Sequence, residues 1–243
     1  MANSTKARAA ARAAQQRLAA RQRQARRRRA GWVSAVAAAV LLIAGLAGAG
    51  IWQATRPSDV AVPTAATDDG AGLAVGTGPV TVEIYLDFLC PACRQFETAA
   101  RSMLDGYVSD GTATVVYRPI AILDGRTTTQ FSTRAAAAAG CAADAGAVAG
   151  FVPAMMDNQP AEDSIGLSDD QIIQIGSSAG ATGPEFDQCV REGDYRDWVD
   201  RNTDEAFDRG VQGTPTVYVD GNRLDGFGLA DLAAAIDGAA AAG

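Results

Sequence analysis

The chain has 243 residues, 48% of them hydrophobic and 20% charged, with a formal net charge of −7. That is enough for one domain of ordinary size plus additional segments. It contains no histidine, which excludes Ser-His-Asp and Cys-His catalysis and any His-containing zinc or copper site within the chain.

The charge is unevenly placed. Residues 1–29 carry ten cations and no acid, ending in Arg26-Arg27-Arg28-Arg29, and the remaining 214 residues hold 11 cations against 28 acids, a balance of −17. A basic head can bind nucleic acid, but here an uncharged stretch from Ala30 to Gln53 follows it directly. At about 1.5 Å per residue, about 20 apolar residues span the roughly 30 Å hydrocarbon core of a bilayer. Trp32 and Trp52 stand at its two ends, where such rings favour the interface. Residues 1–29 therefore read as a basic cytoplasmic segment with no nucleic-acid role. Residues 30–53 read as a transmembrane anchor in contact with membrane lipid, placing the rest of the chain outside the cytoplasm. A signal peptide cleaved near Ala47-Gly48-Ala49 is the alternative, and the length of the apolar stretch speaks against it. Either reading delivers the C-terminal part to a compartment where disulfides persist. A single Lys among many Arg and Ala suggests a GC-rich bacterial genome.

Residues 54–75 mix Pro57, Pro63, Gly70 and Gly72 with small polar residues and show no period, which reads as a linker with a turn at Asp68-Asp69-Gly70. Val80, Val82, Ile84, Leu86 and Phe88 then alternate with Thr81, Glu83, Tyr85 and Asp87, the period of a strand. A helix opens at Cys90-Pro91-Ala92-Cys93 and places Cys93, Phe96, Ala100, Met103, Leu104 and Tyr107 on one face. Ala113 to Ile120 follows as a second strand. Helical patterns then occupy Thr129–Ala145, Val148–Asp157, Ser168–Ser178, Pro184–Glu192 and Tyr195–Arg209, with Ser168 and Gln171 spaced as a capping box. Thr216–Val219 is a short strand, Asp220-Gly221-Asn222 a turn and Leu229–Ala241 a closing helix. The order describes an α/β domain, residues 76–126 and 210–243, interrupted by a helical insertion at 127–209.

The two cysteines of the CPAC tetrapeptide can close a small-ring disulfide and reopen it. A thiolate is the nucleophile in such exchange. Cys90 stands at a helix N-terminus, where unpaired N–H groups and the helix dipole favour a negative sulfur. Pro91 presets φ at the first helical position and donates no N–H. Cys90 is therefore expected to be exposed and to exchange with substrate, and Cys93, one turn on, to be shielded and resolve the mixed disulfide. Pro91 and Ala92 between them are the positions that tune the couple. Far downstream, Gly213-Thr214-Pro215-Thr216 puts a proline at the start of a strand, where an X–Pro bond can be cis. Cys141 and Cys189 lie 48 positions apart in the helical block. An even count in an oxidising compartment favours a structural disulfide between them, with two buried free thiols as the alternative. The two cysteine pairs lack the matched short spacings of a four-cysteine metal site. Asp87 reads as an exposed strand-end acid, Arg94, Glu97 and Arg101 as a solvated helix face, and Met155, Met156 and Trp198 as core.

On Asp87-Phe88-Leu89-Cys90-Pro91-Ala92-Cys93 with Phe96-Glu97, and on Gly213-Thr214-Pro215-Thr216 about 120 residues later, residues 76–243 resemble the DsbA-like thiol–disulfide oxidoreductases of the thioredoxin superfamily. The resemblance implies a thioredoxin-like α/β fold with an inserted all-helical domain, here preceded by one N-terminal transmembrane helix. It implies that Pro215 is cis and packs beside the Cys90 sulfur, and that Thr214 presents backbone groups to an extended substrate peptide. The implied substrates are reduced or unfolded exported proteins. The implied partner is a membrane quinone-linked reoxidase of DsbB or vitamin K epoxide reductase-homologue type. No cofactor is expected beyond the redox-active Cys90–Cys93 disulfide, and no dimerisation segment is visible, so a monomer is expected. Two positions depart from the family. Ile84 stands where many members have a carboxylate six residues before the first cysteine. Ala92 stands where strongly oxidising members have a histidine, so a less extreme thiol pKa and potential are expected. An oxidase is the leading reading. An isomerase or reductase of the same fold, or a non-catalytic peptide-binding or redox-sensing module, are the alternatives.

Overall fold

The structure is a computed structural model and describes residues 60–226 and 228–242. The expected basic segment at 1–29, the anchor at 30–53 and the first part of the linker lie outside the described residues. No helix among the described residues is long and apolar enough to cross a membrane.

The centre is a five-stranded sheet in the order β1-β3-β2-β4-β5. Its strands are β1 (Leu73–Val75), β2 (Val80–Leu86), β3 (Ala113–Pro119), β4 (Thr216–Val219) and β5 (Asn222–Arg223). β2 and β3 run parallel, joined by helix α1 (Pro91–Ser109), and the other neighbouring pairs are antiparallel. The alternation in β2 sorts its side chains between two buried faces. Ile84 and Leu86 lie with Phe96 and Leu104 of α1, and α7 (Leu229–Ala242) adds Leu232 and Ile236 to that core. Tyr85 lies on the other face with Ile120, Ala206, Val211 and Tyr218. Glu83 shares that second face, buried and bonded to Arg118 and Arg209, whose guanidinium groups lie 5.8 and 5.6 Å from the Tyr85 ring centre.

Five helices stand between β3 and β4: α2 (Phe131–Asp144), α3 (Val148–Asp157), α4 (Asp169–Ser178), α5 (Pro184–Glu192) and α6 (Arg196–Asp208). The alanine run makes α2 their hub. Ala135 to Ala139, Ala142 and Ala143 are all buried, and α2 packs on α3, α4, α5 and α6. A helix that is apolar all round belongs in an interior, and small side chains let its neighbours approach. A Cβ added to Gly140 would meet the Tyr195 ring at 2.8 Å. The Cys141–Cys189 disulfide ties α2 to α5. Ser168 caps α4 reciprocally with Gln171.

Residues 60–75 are not the linker that their composition suggests. β1 pairs with β3. The Trp198 indole and an Arg201 N–H both donate to the Gly70 carbonyl, at 2.6 and 2.9 Å, and the Asn202 amide donates to the Ala71 carbonyl at 3.0 Å. Asp69 pairs with Arg118. A three-residue strand is too short to show a period, and its partners lie far away in the chain, so nothing local marks it. The strand expected from Val80 to Phe88 also ends early. β2 stops at Leu86, and the chain from Asp87 turns into the loop that carries Cys90.

The 48-residue separation of Cys141 and Cys189 corresponds to about 4 kcal/mol of denatured-state loop entropy removed by the crosslink. A Cys141→Ala/Cys189→Ala variant, with the Cys90 pair intact, is expected to lose about that much stability in urea unfolding. An unchanged midpoint would show that the crosslink adds nothing.

Candidate active site

The loop from β2 to α1 is built on Asp87. The Cys90 N–H donates to the Asp87 carbonyl at 3.0 Å. The Asp87 carboxylate accepts from the Leu89 N–H at 2.8 Å, the Ser132 hydroxyl of α2 at 2.7 Å and the Leu123 N–H at 2.9 Å. Asp87 is 0% exposed, which corrects its reading as an exposed strand-end acid. Burial pushes its carboxyl up, to about 6, against those three hydrogen bonds, and the nearby Cys90 charge adds to the rise. A local signal existed for this role: an Asp side chain that takes the N–H two residues on forms an Asx turn.

Cys90 caps the N-terminus of α1, with Pro91 in its first turn, and Pro91 and Ala92 are exposed. The Thr214–Pro215 bond is cis. The Cys90 thiol donates to the Thr214 carbonyl at 3.2 Å, so residues 124 positions apart meet at the sulfur. Cys93 and Pro215 line one small cavity with Ile84, Leu86, Phe96 and Glu97. The site therefore brings together Cys90, Cys93, Thr214 and Pro215. Cys141 and Cys189 are held apart from it in the inserted helices, as a disulfide. Cys90 and Cys93 are both free thiols, so this is the dithiol form. Cys90 is less open than its assigned role suggests, with 8% of its surface accessible against 1% for Cys93. Cys90 is buried, which corrects its reading as an exposed thiol, and the Thr214 carbonyl lies against its sulfur.

The two sulfurs are unequal in acidity. The hydrogen bond from the Cys93 thiol is the largest influence on Cys90. Burial opposes it, while Thr214 and the N–H groups of Cys93 and Ala92 add to it, bringing Cys90 down to about 5. The Thr214 carbonyl accepts the thiol proton, whereas its hydroxyl is buried without a hydrogen-bond partner. That hydroxyl is the Thr214 group able to favour a thiolate, since a carbonyl oxygen has no proton to donate. Burial pushes the Cys93 thiol well above its ordinary value, and donation to Cys90 and the Cys90 charge push it further. The depressed thiol belongs to the residue at the helix N-terminus, and the raised one sits a turn deeper.

Three further residues reach the site, two of them read as surface and one not marked by sequence. Glu97 and Arg101, read as solvated helix face, form a pair in which Glu97 is buried. Arg101 donates to Glu97 at 2.8 Å through Nε and to Asp157 of α3 at 2.9 Å through Nη2, tying α1 to the insertion. Glu97 faces the cavity that Ile84 lines, so the carboxylate near Cys93 comes from the helix and not from the strand. Gln159, just beyond α3, donates through Nε2 to the carbonyls of Phe88 at 3.0 Å and Cys90 at 2.9 Å. No sequence pattern marks it. Among the described residues, no group of three or more His, Cys, Asp or Glu is placed to hold a metal ion.

A family model described as thioredoxin matches residues 72–238. The solved structure of reduced DsbA from Mycobacterium tuberculosis is 30% identical, with a TM-score of 0.60 over 71% of this chain and 98% of that one. Reduced DsbG from the same organism, described as a disulfide bond oxidoreductase, is 31% identical, with a TM-score of 0.61 over 71% of this chain and 93% of that one. Among curated proteins, the serine/threonine-protein kinase PknE of M. tuberculosis is 29% identical over 140 residues, 55% of this chain. This chain spans only 25% of that kinase's length.

Two outcomes test the site. Thiolate absorbance of the reduced protein should titrate with a midpoint near pH 5, assigned to Cys90 by its loss in Cys90→Ser. Because the folded value is lowered, the stabilisation of the reduced form is complete above the ordinary pKa of 9.0 and is lost as pH falls through about 5. The stability of the reduced form relative to the disulfide form should shrink over that window on acidification. A midpoint at the ordinary value would contradict the geometry. Separately, Asp87→Ala strands two buried donors, of Leu89 and Ser132, at about 1–3 kcal/mol each, and the part-buried Leu123 N–H. Unfolding should reveal a loss of several kcal/mol, and a loss below about 1 kcal/mol would mean that the carboxylate does not organise the loop.

Proposed function

The chain belongs to the thioredoxin family, as a DsbA-like thiol:disulfide oxidoreductase, and on that premise we propose that it oxidises cysteine pairs of exported proteins on the outer side of a bacterial membrane. The observation that carries the direction is the opposed acidity of Cys90 and Cys93.

A substrate thiolate attacks the Cys90 sulfur of the Cys90–Cys93 disulfide. The bond to Cys93 breaks, and Cys93 leaves with the electron pair and takes a proton. The mixed disulfide then has two fates. The second substrate thiolate can attack the substrate sulfur and expel Cys90, giving a substrate disulfide and moving two electrons to the enzyme. Alternatively Cys93 can attack Cys90 and release the substrate still reduced. A low-pKa thiol leaves fast, and a buried thiol with a raised pKa must first lose its proton. The first fate therefore dominates, and oxidation goes forward. Reoxidation of the dithiol calls for an acceptor of two electrons, which we assign to a quinone-linked membrane partner of DsbB or vitamin K epoxide reductase-homologue type. The uncharged stretch at 30–53, after a basic head, supports a single-pass anchor with the catalytic domain outside and residues 54–59 as its tether.

One observation favours a second reading. A segment like this one forms a quarter of a serine/threonine-protein kinase, which suits a thioredoxin-fold module that senses redox state without turning over. The two readings separate on one assay. The oxidised protein should convert a reduced two-cysteine peptide to its disulfide, Cys93→Ser offered the same peptide in its disulfide form should form a mixed disulfide at Cys90 and release one peptide thiol, and Cys90→Ser should be inactive in both. The couple should equilibrate nearer about −120 mV than about −270 mV. A potential at the lower end would make the enzyme a reductant, and a Cys90–Cys93 couple that forms and opens its disulfide without oxidising the peptide would favour the sensor.

A further inference from the structure

The inserted segment reaches the reactive loop through two side chains. Ser132 of α2 donates to the Asp87 carboxylate at 2.7 Å. Gln159 donates to both the Phe88 and the Cys90 carbonyls, at 3.0 and 2.9 Å. Phe88 itself packs edge-to-face on Phe151 of α3, with ring centres 6.1 Å apart. The Cys90 carbonyl matters most, because it is the oxygen that opens α1 by accepting the Arg94 N–H at 3.2 Å. Its position fixes the first helical turn, and that turn carries the Ala92 and Cys93 N–H groups that face the Cys90 sulfur. A single amide on a neighbouring element thus spans the three residues that end in the nucleophile.

We propose that Gln159 is a positioning residue for the redox couple, through which the inserted helices hold the first turn of α1 with its amides aimed at the Cys90 sulfur and so set the reactivity of that sulfur. The proposal concerns the equilibrium between the dithiol and the disulfide. It stands whichever way electrons flow in the cell, and it would survive if the sensor reading were correct.

Replacing Gln159 by Leu keeps the bulk and removes both donated bonds. Released from the clamp, the first turn loses its aim and the thiolate is less stabilised. The Cys90 titration midpoint should rise by about one unit, and the equilibrium with glutathione should shift about tenfold toward the protein disulfide, about 30 mV for a two-electron couple. Gln159→Glu, which cannot donate when ionised and adds a negative charge, should raise the midpoint further. Gln159→Lys, which restores donation and adds a positive charge, should return it to the wild-type value or below. That order of Leu and Glu above wild type, with Lys at or below it, is not produced by a brace that only adds stability. Urea midpoints measured alongside separate the two effects. Should the Leu variant fail to fold, the neutral Gln159→Met variant takes its place, because charge alone also moves the Glu and Lys variants in these directions. Midpoints and glutathione equilibria within twofold of wild type in the folded variants would overturn the proposal, as would shifts in stability alone.

Discussion

The Cys90 sulfur must carry a negative charge while 8% of its surface is accessible. In a chain without histidine the work falls to dipoles: the Cys93 thiol, Thr214 and the amides of Ala92 and Cys93. Dipoles act over short distances and only when aimed, so the arrangement depends on backbone geometry to a few tenths of an ångström. A bare cation would tolerate more slack. The requirement for aim explains why so many of the hydrogen bonds around this site end on main-chain atoms. The Asp87 carboxylate takes the Leu89 and Leu123 amides, Gln159 takes the Phe88 and Cys90 carbonyls, and the Asp87 carbonyl takes the Cys90 amide.

Aim of this kind is delivered by three parts of the chain that share no sequence neighbourhood. β2 carries the loop to the edge of the core, the segment before β4 brings the Thr214 carbonyl to the sulfur, and the inserted helices grip the loop from outside. The insertion is rigid where it needs to be. Its hub, α2, is a buried alanine helix crosslinked to α5, and Ser132 projects from the first turn of that hub. The Arg101 fork between Glu97 and Asp157 joins α1 to α3 on a further side. A domain that looks like an excursion from a small α/β fold is in this sense part of the site.

What the sequence made legible was whatever is encoded locally. The alternation from Val80 marks β2, the capping box at Ser168 marks the start of α4, and the CPAC and Thr214-Pro215 spacings mark the chemistry. What escaped was burial decided by distant contacts. Asp87 and Glu97 look like surface acids because charged residues are mostly exposed. Asp87 is covered by Ser132 and Leu123, and Glu97 by a cavity wall that includes Tyr117 and Pro215. β1 and the segment before it look like a linker because their order comes from Trp198, Arg201 and Asn202, about 130 positions on. Gln159 carries no pattern at all, since its role exists only once α3 has docked beside the loop.

The position of Ile84 shows how the two faces of one strand divide the electrostatics. On the Tyr85 face, β2 offers Glu83, and that carboxylate is bound by Arg118 and Arg209, away from the cysteines. On the cysteine face it offers Ile84 and Leu86, so the wall beneath Cys93 is apolar. The carboxylate that does reach this cavity, Glu97, is held by Arg101 at 2.8 Å. Cys93 therefore has an apolar wall on one side and a carboxylate paired with Arg101 on the other, and burial pushes its thiol well above the ordinary value. The retained proton is the one that Cys93 shares with Cys90, and that hydrogen bond is the largest cause of the low Cys90 pKa.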